Sequence, residues 1–109
     1  MISVAIHRNC TNHIWGYTVT NHGKTDVCAA VSLLTLNTVN GIEALLDEPF
    51  KCEYDPEGGF LRFELPQTRE GNHNPEVDLL LEVMLLGLRS VEENYGDEIE
   101  ILDRYMKLE

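Results

Sequence analysis

Hydrophobic and polar residues alternate near the start of the chain, and this pattern predicts β-strands. In residues 2–7, ISVAIH, three β-branched side chains fall on one face, as expected for a half-buried strand. Residues 14–20, IWGYTVT, predict a second strand in which Gly16 marks a bulge or a close backbone contact. The polar segment between the two predicts a turn, so we expect a hairpin.

Two later segments carry apolar residues at the three- and four-residue spacing of a helix. The first predicted helix covers residues 27–40, with Gly41 as its terminator. Residues 45–49 predict either another helical turn or a loop. The second covers residues 75–94, begins with a proline at a favourable first position and ends at Gly96. The second helix is the longest predicted element.

The remaining pattern completes an alternating arrangement of strands and helices. Residues 50–54 and 60–65 predict a hairpin joined by the turn DPEGG, residues 66–74 predict a polar loop, and residues 98–106 predict a last strand. The predicted order is β-β-α-β-β-α-β in a single domain over residues 1–109. Hairpin-connected strands covered by two helices define an α+β fold with a mostly antiparallel sheet.

The second predicted helix is apolar on two sides. One stripe contains Val77, Leu80, Leu81, Met84 and Leu88, and the other contains Leu79, Val83 and Leu86. One stripe can face the sheet, but a monomer would leave the other in water. We therefore expect a homodimer.

Composition and charge narrow the possible partners. The chain has 109 residues, of which 43% are hydrophobic and 25% are charged, as in one small globular domain. A net charge of −11 with 8 lysines and arginines disfavours nucleic acid and anionic membranes, which both need basic contacts. The charge either attracts a basic partner or keeps the protein soluble, and charge alone favours the second explanation.

The N-terminal segment lacks the basic region and the long apolar run of a signal peptide. No stretch contains the roughly 18 uninterrupted apolar residues that indicate a membrane span, so we expect a cytoplasmic protein. Its cysteines, Cys10, Cys28 and Cys52, should then be reduced thiols. Their odd number and irregular spacing do not indicate disulfides or a zinc site, and we expect no metal or cofactor.

Free cysteines are usually buried packing residues, and we interpret Cys10 and Cys52 in that way. Cys28 differs because it falls at the second or third position of the first predicted helix, where unpaired N–H groups and the helix dipole favour a thiolate. His22 lies six residues earlier, and a strand–loop–helix turn can bring its imidazole over the helix start. The same N–H groups can bind an oxyanion. The segment thus predicts a nucleophile, a base and oxyanion donors within one turn.

Neighbouring polar residues have two interpretations each. Thr25 or Asp26 is expected to cap the first helix, and Asp26 could also orient His22. Ser32 lies four residues after Cys28, on the same helix face. Its hydroxyl either completes a polar pocket beneath the thiol or bonds back to a helix carbonyl.

The other histidines give no comparable pattern. His7 and His13 flank the first predicted turn and are expected to be exposed. His73 lies in the polar loop, which we expect to form a rim of the same cleft as residues 21–25.

The string DVCAAVSLL after an Asn-His strand end, residues 21–34, resembles the ribosomal-processing cysteine protease family (Prp). That family carries a Gly-His-Ala segment, a short loop and a helix that starts Asp-Ile-Val-Cys-Ala-Ala-Val-Ser. Its element order and length are also similar. The resemblance implies that Cys28 is the nucleophile, that His22 is the base or ion-pair partner, and that Asp26 and Ser32 are supporting polar residues.

The resemblance also implies an activity: removal of a short N-terminal extension from a large-subunit ribosomal protein, after aromatic residues, by a homodimer. The net charge of −11 would attract a basic substrate segment of this kind. Two features depart from the family. The motif reads Asn-His-Gly, and Asp26 lies two residues before Cys28 instead of three. A variant with a different substrate, such as a phage-encoded or accessory copy, stays open.

Two other functions compete with a protease. One is a non-catalytic dimeric module that docks on a basic ribosomal or phage protein, with Cys28 merely packed. The other is a redox or acyl-transfer thiol enzyme. The sequence contains no Cys-x-x-Cys motif, which counts against thiol–disulfide exchange.

Overall fold

The computed structural model describes residues 1–21, 26–56 and 59–105. Within these residues it contains five strands and three helices. The strands are β1 (Ile2–Arg8), β2 (Ile14–Thr20), β3 (Lys51–Tyr54), β4 (Phe60–Glu64) and β5 (Ile99–Tyr105). The helices are α1 (Asp26–Leu45), α2 (Pro66–Arg69) and α3 (Pro75–Asn94).

The strands form one sheet in the order β3-β4-β2-β1-β5. The pairs β3–β4, β4–β2 and β2–β1 are antiparallel, and β1–β5 is parallel. The predicted α+β class with a mostly antiparallel sheet is therefore confirmed. The parallel pair arises because α3 carries the chain back to the start of β1 before β5 begins, and the N–H of Ile2 donates to the carbonyl of Glu98 there.

The core lies between one face of the sheet and the inner faces of α1 and α3. The alternating residues of β1, β2 and β4 that point to this face are buried, as their period of two predicts. The largest fully buried side chains are Tyr17, Phe63, Ile6, Ile14, Ile42, Leu65, Leu81, Leu88 and Ile99.

Tyr17 fixes α1 against the sheet. Its ring stacks on Phe63 at a centroid distance of 5.1 Å, and its hydroxyl donates to the carbonyl oxygen of Thr35 at 2.7 Å. Burial raises the pKa of this phenol far above its ordinary value, so the hydroxyl keeps its proton and its role as donor. The N-terminal half of α1 is thereby held at a fixed height above β2.

The predicted end of the first helix is wrong. The first helix was expected to end at Gly41, but α1 continues to Leu45. The apolar pattern goes on with Val39 and Ile42, both buried, and their packing outweighs the roughly 1 kcal/mol cost of an internal glycine.

The predicted polar loop after β4 contains a short helix, α2. Pro66 stands at its first position, where a missing N–H costs nothing. The buried side chain of Asn9 donates to the carbonyl of Thr68 at 2.8 Å, which ties α2 to the turn between β1 and β2.

Gly16 lies at a close backbone contact, as its position in a strand predicts. A Cβ built there would lie 2.5 Å from the carbonyl oxygen of Phe63 in β4. The register of β1 and β2 also shifts beside it, between His7 and Arg8. Only glycine lets the two central antiparallel pairs keep this spacing.

Gly16→Ala will lower the free energy of unfolding by about 1–3 kcal/mol, because a backbone carbonyl cannot rotate away from the added methyl group. Gly41→Ala is the matched control. A Cβ at Gly41 meets nothing within 4 Å, so this substitution should raise stability by up to about 1 kcal/mol. Urea unfolding followed by circular dichroism measures both, and equal stability of the two variants would contradict the close contact.

The second apolar stripe of α3 is exposed as predicted. Leu79, Val83 and Leu86 are 65%, 54% and 68% exposed, respectively. Among the described helices, α1 is long and apolar enough to cross a membrane, by length and composition alone. The core helices of soluble proteins share these features. The buried face of α1 contributes to the same hydrophobic core as the sheet.

Candidate active site

The connection from β2 to α1 brings the predicted nucleophile to one end of the sheet. β2 ends at Thr20, and Asn21 follows with φ of 60°, a left-handed conformation that asparagine tolerates better than most residues. α1 begins at Asp26. Both His22 and Thr25 lie outside the described residues, so the pairing of His22 with Cys28 and the capping by Thr25 stay predictions.

Cys28 is the third residue of α1, within the range of positions that the sequence predicts. Its thiol therefore belongs to the first turn, where backbone N–H groups have no carbonyl partner inside the helix. The residue is 5% exposed and belongs to the hydrophobic core together with Val27 and Val31. The sulfur thus combines a position suited to a thiolate with low access to bulk water.

The other two cysteines differ from Cys28 and from each other. Cys10 lies in the β1–β2 turn and is exposed, so the prediction that it packs in the interior is wrong. Cys52 is half-buried in β3. Burial raises the pKa of the Cys52 thiol, and the negative charge of Glu53 raises it further, so Cys52 stays protonated near neutral pH.

The two supporting residues occupy different surroundings. Asp26 is exposed at the first position of α1, where its carboxylate complements the positive end of the helix dipole. Ser32 is half-buried one turn beyond Cys28 and lines an open cleft. The cleft lies between α1 and the β3–β4 hairpin.

This cleft is the feature that sequence reasoning missed. Besides Ser32 it is lined by Thr35, Leu36, Tyr54, Asp55, Gly59, Phe60 and Leu61. The hairpin was expected only as part of the sheet. Its placement depends on the pairing of Thr20 with Phe60, which sets the start of β4 beside the end of β2, and no local pattern predicts such a long-range pair.

The expectation that residues 66–74 form a rim of the same cleft as residues 21–25 stays a prediction, because residues 22–25 lie outside the described residues. The backbone N–H of Leu65 donates to the carbonyl of Trp15 at 2.7 Å, so α2 lies at the start of β2. Asn21 follows the other end of β2. Seven strand residues separate the two ends by about 20 Å.

The histidines of the β1–β2 hairpin are half-buried, so the prediction of exposure is wrong for His7 and His13. The Nε2 atom of His7 lies 3.0 Å from the Thr18 hydroxyl, and the ring of His7 stacks on Trp15. These contacts hold His7 against the sheet.

The arrangement defines a class: a small α+β protein with one cysteine in the first turn of a core helix, one turn from an open cleft, suited to thiol-dependent hydrolysis. A family model described as the cysteine protease Prp matches residues 1–100, and the chain belongs to this family of cysteine proteases. It is therefore a hydrolase whose curated relatives are named for ribosomal processing.

Two of these relatives show how far the similarity extends. The ribosomal processing cysteine protease Prp of Bacillus subtilis (strain 168) is 26% identical over 107 residues, which cover 93% of this chain and 96% of the relative. That of Staphylococcus aureus (strain Mu50 / ATCC 700699) is 32% identical over 80 residues, which cover 73% of this chain and 72% of the relative.

Solved structures agree with the fold. The crystal structure of Prp from S. aureus with a covalently linked product peptide superposes with a TM-score of 0.86 at 29% identity, covering 95% of this chain and 100% of that one. The same protease with a substrate peptide gives a TM-score of 0.85 at 27% identity, with the same coverage. Both of these S. aureus structures contain a bound peptide.

Proposed function

We propose that this protein is an endopeptidase that removes a short N-terminal extension from a large-subunit ribosomal protein through a thioester on Cys28. The observation that carries the proposal is the position of Cys28 in the first turn of α1, one turn from the cleft. The product peptide covalently linked to the S. aureus relative supports the same chemistry here.

The proposed mechanism has two steps. The Cys28 thiolate attacks the scissile carbonyl carbon, backbone N–H groups of the first turn of α1 stabilise the oxyanion, and the protonated His22 imidazole donates its proton to the leaving amine. A water molecule, deprotonated by His22, then attacks the thioester carbonyl and releases the second product and the free thiol. Losing one oxyanion donor typically costs about 10²–10³ in rate.

The cleft between α1 and the β3–β4 hairpin suits a peptide with bulky and basic residues. Tyr54 is 63% exposed, and Phe60 and Leu36 line the same cleft, which offers an apolar surface to an aromatic side chain. Asp55 adds a carboxylate to the same wall. With a net charge of −11, the protein will attract a basic ribosomal segment more strongly than an acidic one.

Mass spectrometry tests the substrate. Large-subunit ribosomal proteins, produced with their native N-termini, are incubated with the protein and their intact masses are compared before and after. We expect loss of a short N-terminal peptide from one of them, at a bond that follows aromatic residues. Unchanged masses for all of them would reject ribosomal processing, and cleavage of an unrelated protein would indicate an accessory copy with another substrate.

Alkylation by iodoacetamide tests the activated thiol apart from cleavage. An ordinary buried thiol reacts more slowly than an exposed one, so Cys10 should react first if Cys28 is only a packing residue. We expect the opposite order near neutral pH, with Cys28 modified fastest despite its 5% exposure and Cys52 slowest. Peptide mapping at short times reads the order, and a Cys28 rate at or below that of Cys10 would contradict activation.

We also propose that the protein is a cytoplasmic homodimer. The exposed stripe of Leu79, Val83 and Leu86 on α3 places three large apolar side chains on one helix face, and a second copy would remove them from water. A stable interface of standard size buries about 1,200–2,000 Å² in total, so the stripe would form only its centre.

Val83→Asp will convert the dimer into a monomer, because a carboxylate in the centre of an apolar interface lacks a partner. Leu45→Asp is the matched control, since Leu45 is 78% exposed at the end of α1 and is not part of the stripe. Multi-angle light scattering at micromolar concentration gives the mass of each. A monomeric wild-type protein, or a dimer that persists in Val83→Asp, would reject this interface.

A further inference from the structure

Two histidines and one aspartate that are distant in sequence meet at the end of the sheet opposite α1's first turn. His13 precedes β2, His73 precedes α3, and Asp78 lies in the first turn of α3. The two imidazoles stack with centroids 3.9 Å apart and planes 8° apart. One carboxylate oxygen of Asp78 lies 2.5 Å from Nδ1 of His73 and 3.8 Å from Nε2 of His13.

The backbone around His13 is held independently of the cluster. The carboxamide oxygen of Asn9 accepts from the N–H and the hydroxyl of Thr11 and from the N–H of His13, and its nitrogen donates to Thr68. The Thr11 hydroxyl also lies 2.9 Å from Nδ1 of His13. Because Nδ1 of His13 is bound to Thr11, Nε2 is the nitrogen that faces Asp78. Hydrogen bonds of this kind fix the ring orientation of metal-binding histidines.

Asp78 retains acceptor capacity that these contacts do not use. Its second carboxylate oxygen is shielded from solvent and accepts no hydrogen bond from the described residues. One turn along α3, Glu82 binds Arg8 at 2.7 Å. Arg8 also contacts Asp103, so its guanidinium already pairs with two carboxylates. The buried oxygen of Asp78 would therefore be satisfied best by a different cation.

We propose that His13, His73 and Asp78 form a binding site for Zn²⁺ or a similar divalent transition-metal ion. One ligand atom from each residue lies within 4.8 Å of the others. Two imidazole nitrogens and one carboxylate oxygen suit ions such as Zn²⁺ and Co²⁺, whereas Mg²⁺ and Ca²⁺ prefer oxygen ligands throughout. Three protein ligands leave the fourth tetrahedral position to solvent.

Metal binding requires a small rearrangement of the rings. The nitrogen lone pairs of parallel stacked imidazoles run side by side, so the rings must tilt apart for both nitrogens to reach one ion about 2.0–2.1 Å away. His73 is the ring that moves, because its side chain is 41% exposed in the segment before α3, whereas that of His13 is 30% exposed and is held by Thr11.

The position of the site indicates a structural role. It connects the β1–β2 turn with the start of α3, and the length of β2 places it about 20 Å from the beginning of α1. The ion would thus link the β1–β2 turn to the start of α3 without contacting Cys28. The residues at positions 13, 73 and 78 form no short motif, which is why the sequence predicted no metal.

Titration of the chelator-treated full-length protein with Co²⁺ and Zn²⁺ tests the site. Calorimetry should give one ion per chain. The Co²⁺ complex should show visible d–d absorption without the near-ultraviolet thiolate charge-transfer band, which distinguishes this site from binding at a cysteine. His73→Gln and Asp78→Asn should each weaken binding by at least about tenfold.

His7→Gln is the matched control, because His7 lies outside the cluster and stacks on Trp15, and this variant should bind as tightly as the wild type. His73→Gln changes an exposed side chain and should fold normally, so it decides the test even if Asp78→Asn unfolds. Absence of binding, a thiolate band in the Co²⁺ spectrum, or wild-type affinity in His73→Gln would overturn the proposal.

Discussion

Cys28→Ser will reduce the rate of peptide cleavage by at least about 10³-fold, because the hydroxyl that replaces the thiol is a far weaker nucleophile without a strong base. The rate is measured by mass spectrometry on the ribosomal protein that the wild-type protein shortens. Binding should survive, since the cleft between α1 and the β3–β4 hairpin keeps all of its lining residues. The variant should therefore retain the substrate without releasing a product.

Cys10→Ser is the matched control for this substitution. Cys10 is exposed in the β1–β2 turn, so its replacement should leave both cleavage and stability unchanged. The thermal unfolding of Cys28→Ser is measured as well, because Cys28 is buried and an unfolded variant would also lose cleavage. A folded Cys28→Ser protein that still cleaves would reject the thioester mechanism and leave the family fold intact.

The sequence predicts a strand or helix well where local signals alone define that element. Strand β1 alternates between buried and half-buried residues from Ile2 to Ile6. Helix α3 has Pro75 at its start, Asn74 as a capping residue and apolar residues on its inner face, so the bounds of α3 match the prediction. Local cues failed where tertiary contacts compete with them. Gly41 would end an isolated helix, but the burial of Ile42 carries α1 onward.

The candidate site also has one part that local sequence signals predict and other parts that depend on long-range contacts. The place of Cys28 in the first turn of α1 follows from local signals, namely a polar segment before an apolar helix, and the structure confirms it. The wall of the cleft depends on the pairing of Thr20 with Phe60, which joins segments 40 residues apart. The His13–His73–Asp78 cluster depends on three separate segments, so neither feature could be predicted from residue spacing.

His22→Ala will lower the rate of cleavage by about 10²–10⁴-fold, the usual contribution of a general acid–base group. The same substitution should slow the alkylation of Cys28, because the imidazole would no longer stabilise the thiolate. If His22 had only a structural role, His22→Ala would alter stability but would not selectively slow the alkylation of Cys28. Cleavage rates and peptide mapping after iodoacetamide treatment measure the two effects on the same preparation.

His7→Gln is the matched control for His22→Ala. His7 is bound to Thr18 and Trp15 on the sheet, so its replacement should leave cleavage and Cys28 alkylation at wild-type rates. If His22→Ala cleaves normally while Cys28→Ser is inactive, another group must protonate the leaving amine, and Asp26 at the start of α1 is the next residue to replace. If His22→Ala loses cleavage but Cys28 still alkylates at the wild-type rate, His22 acts on the leaving group and not on the thiol.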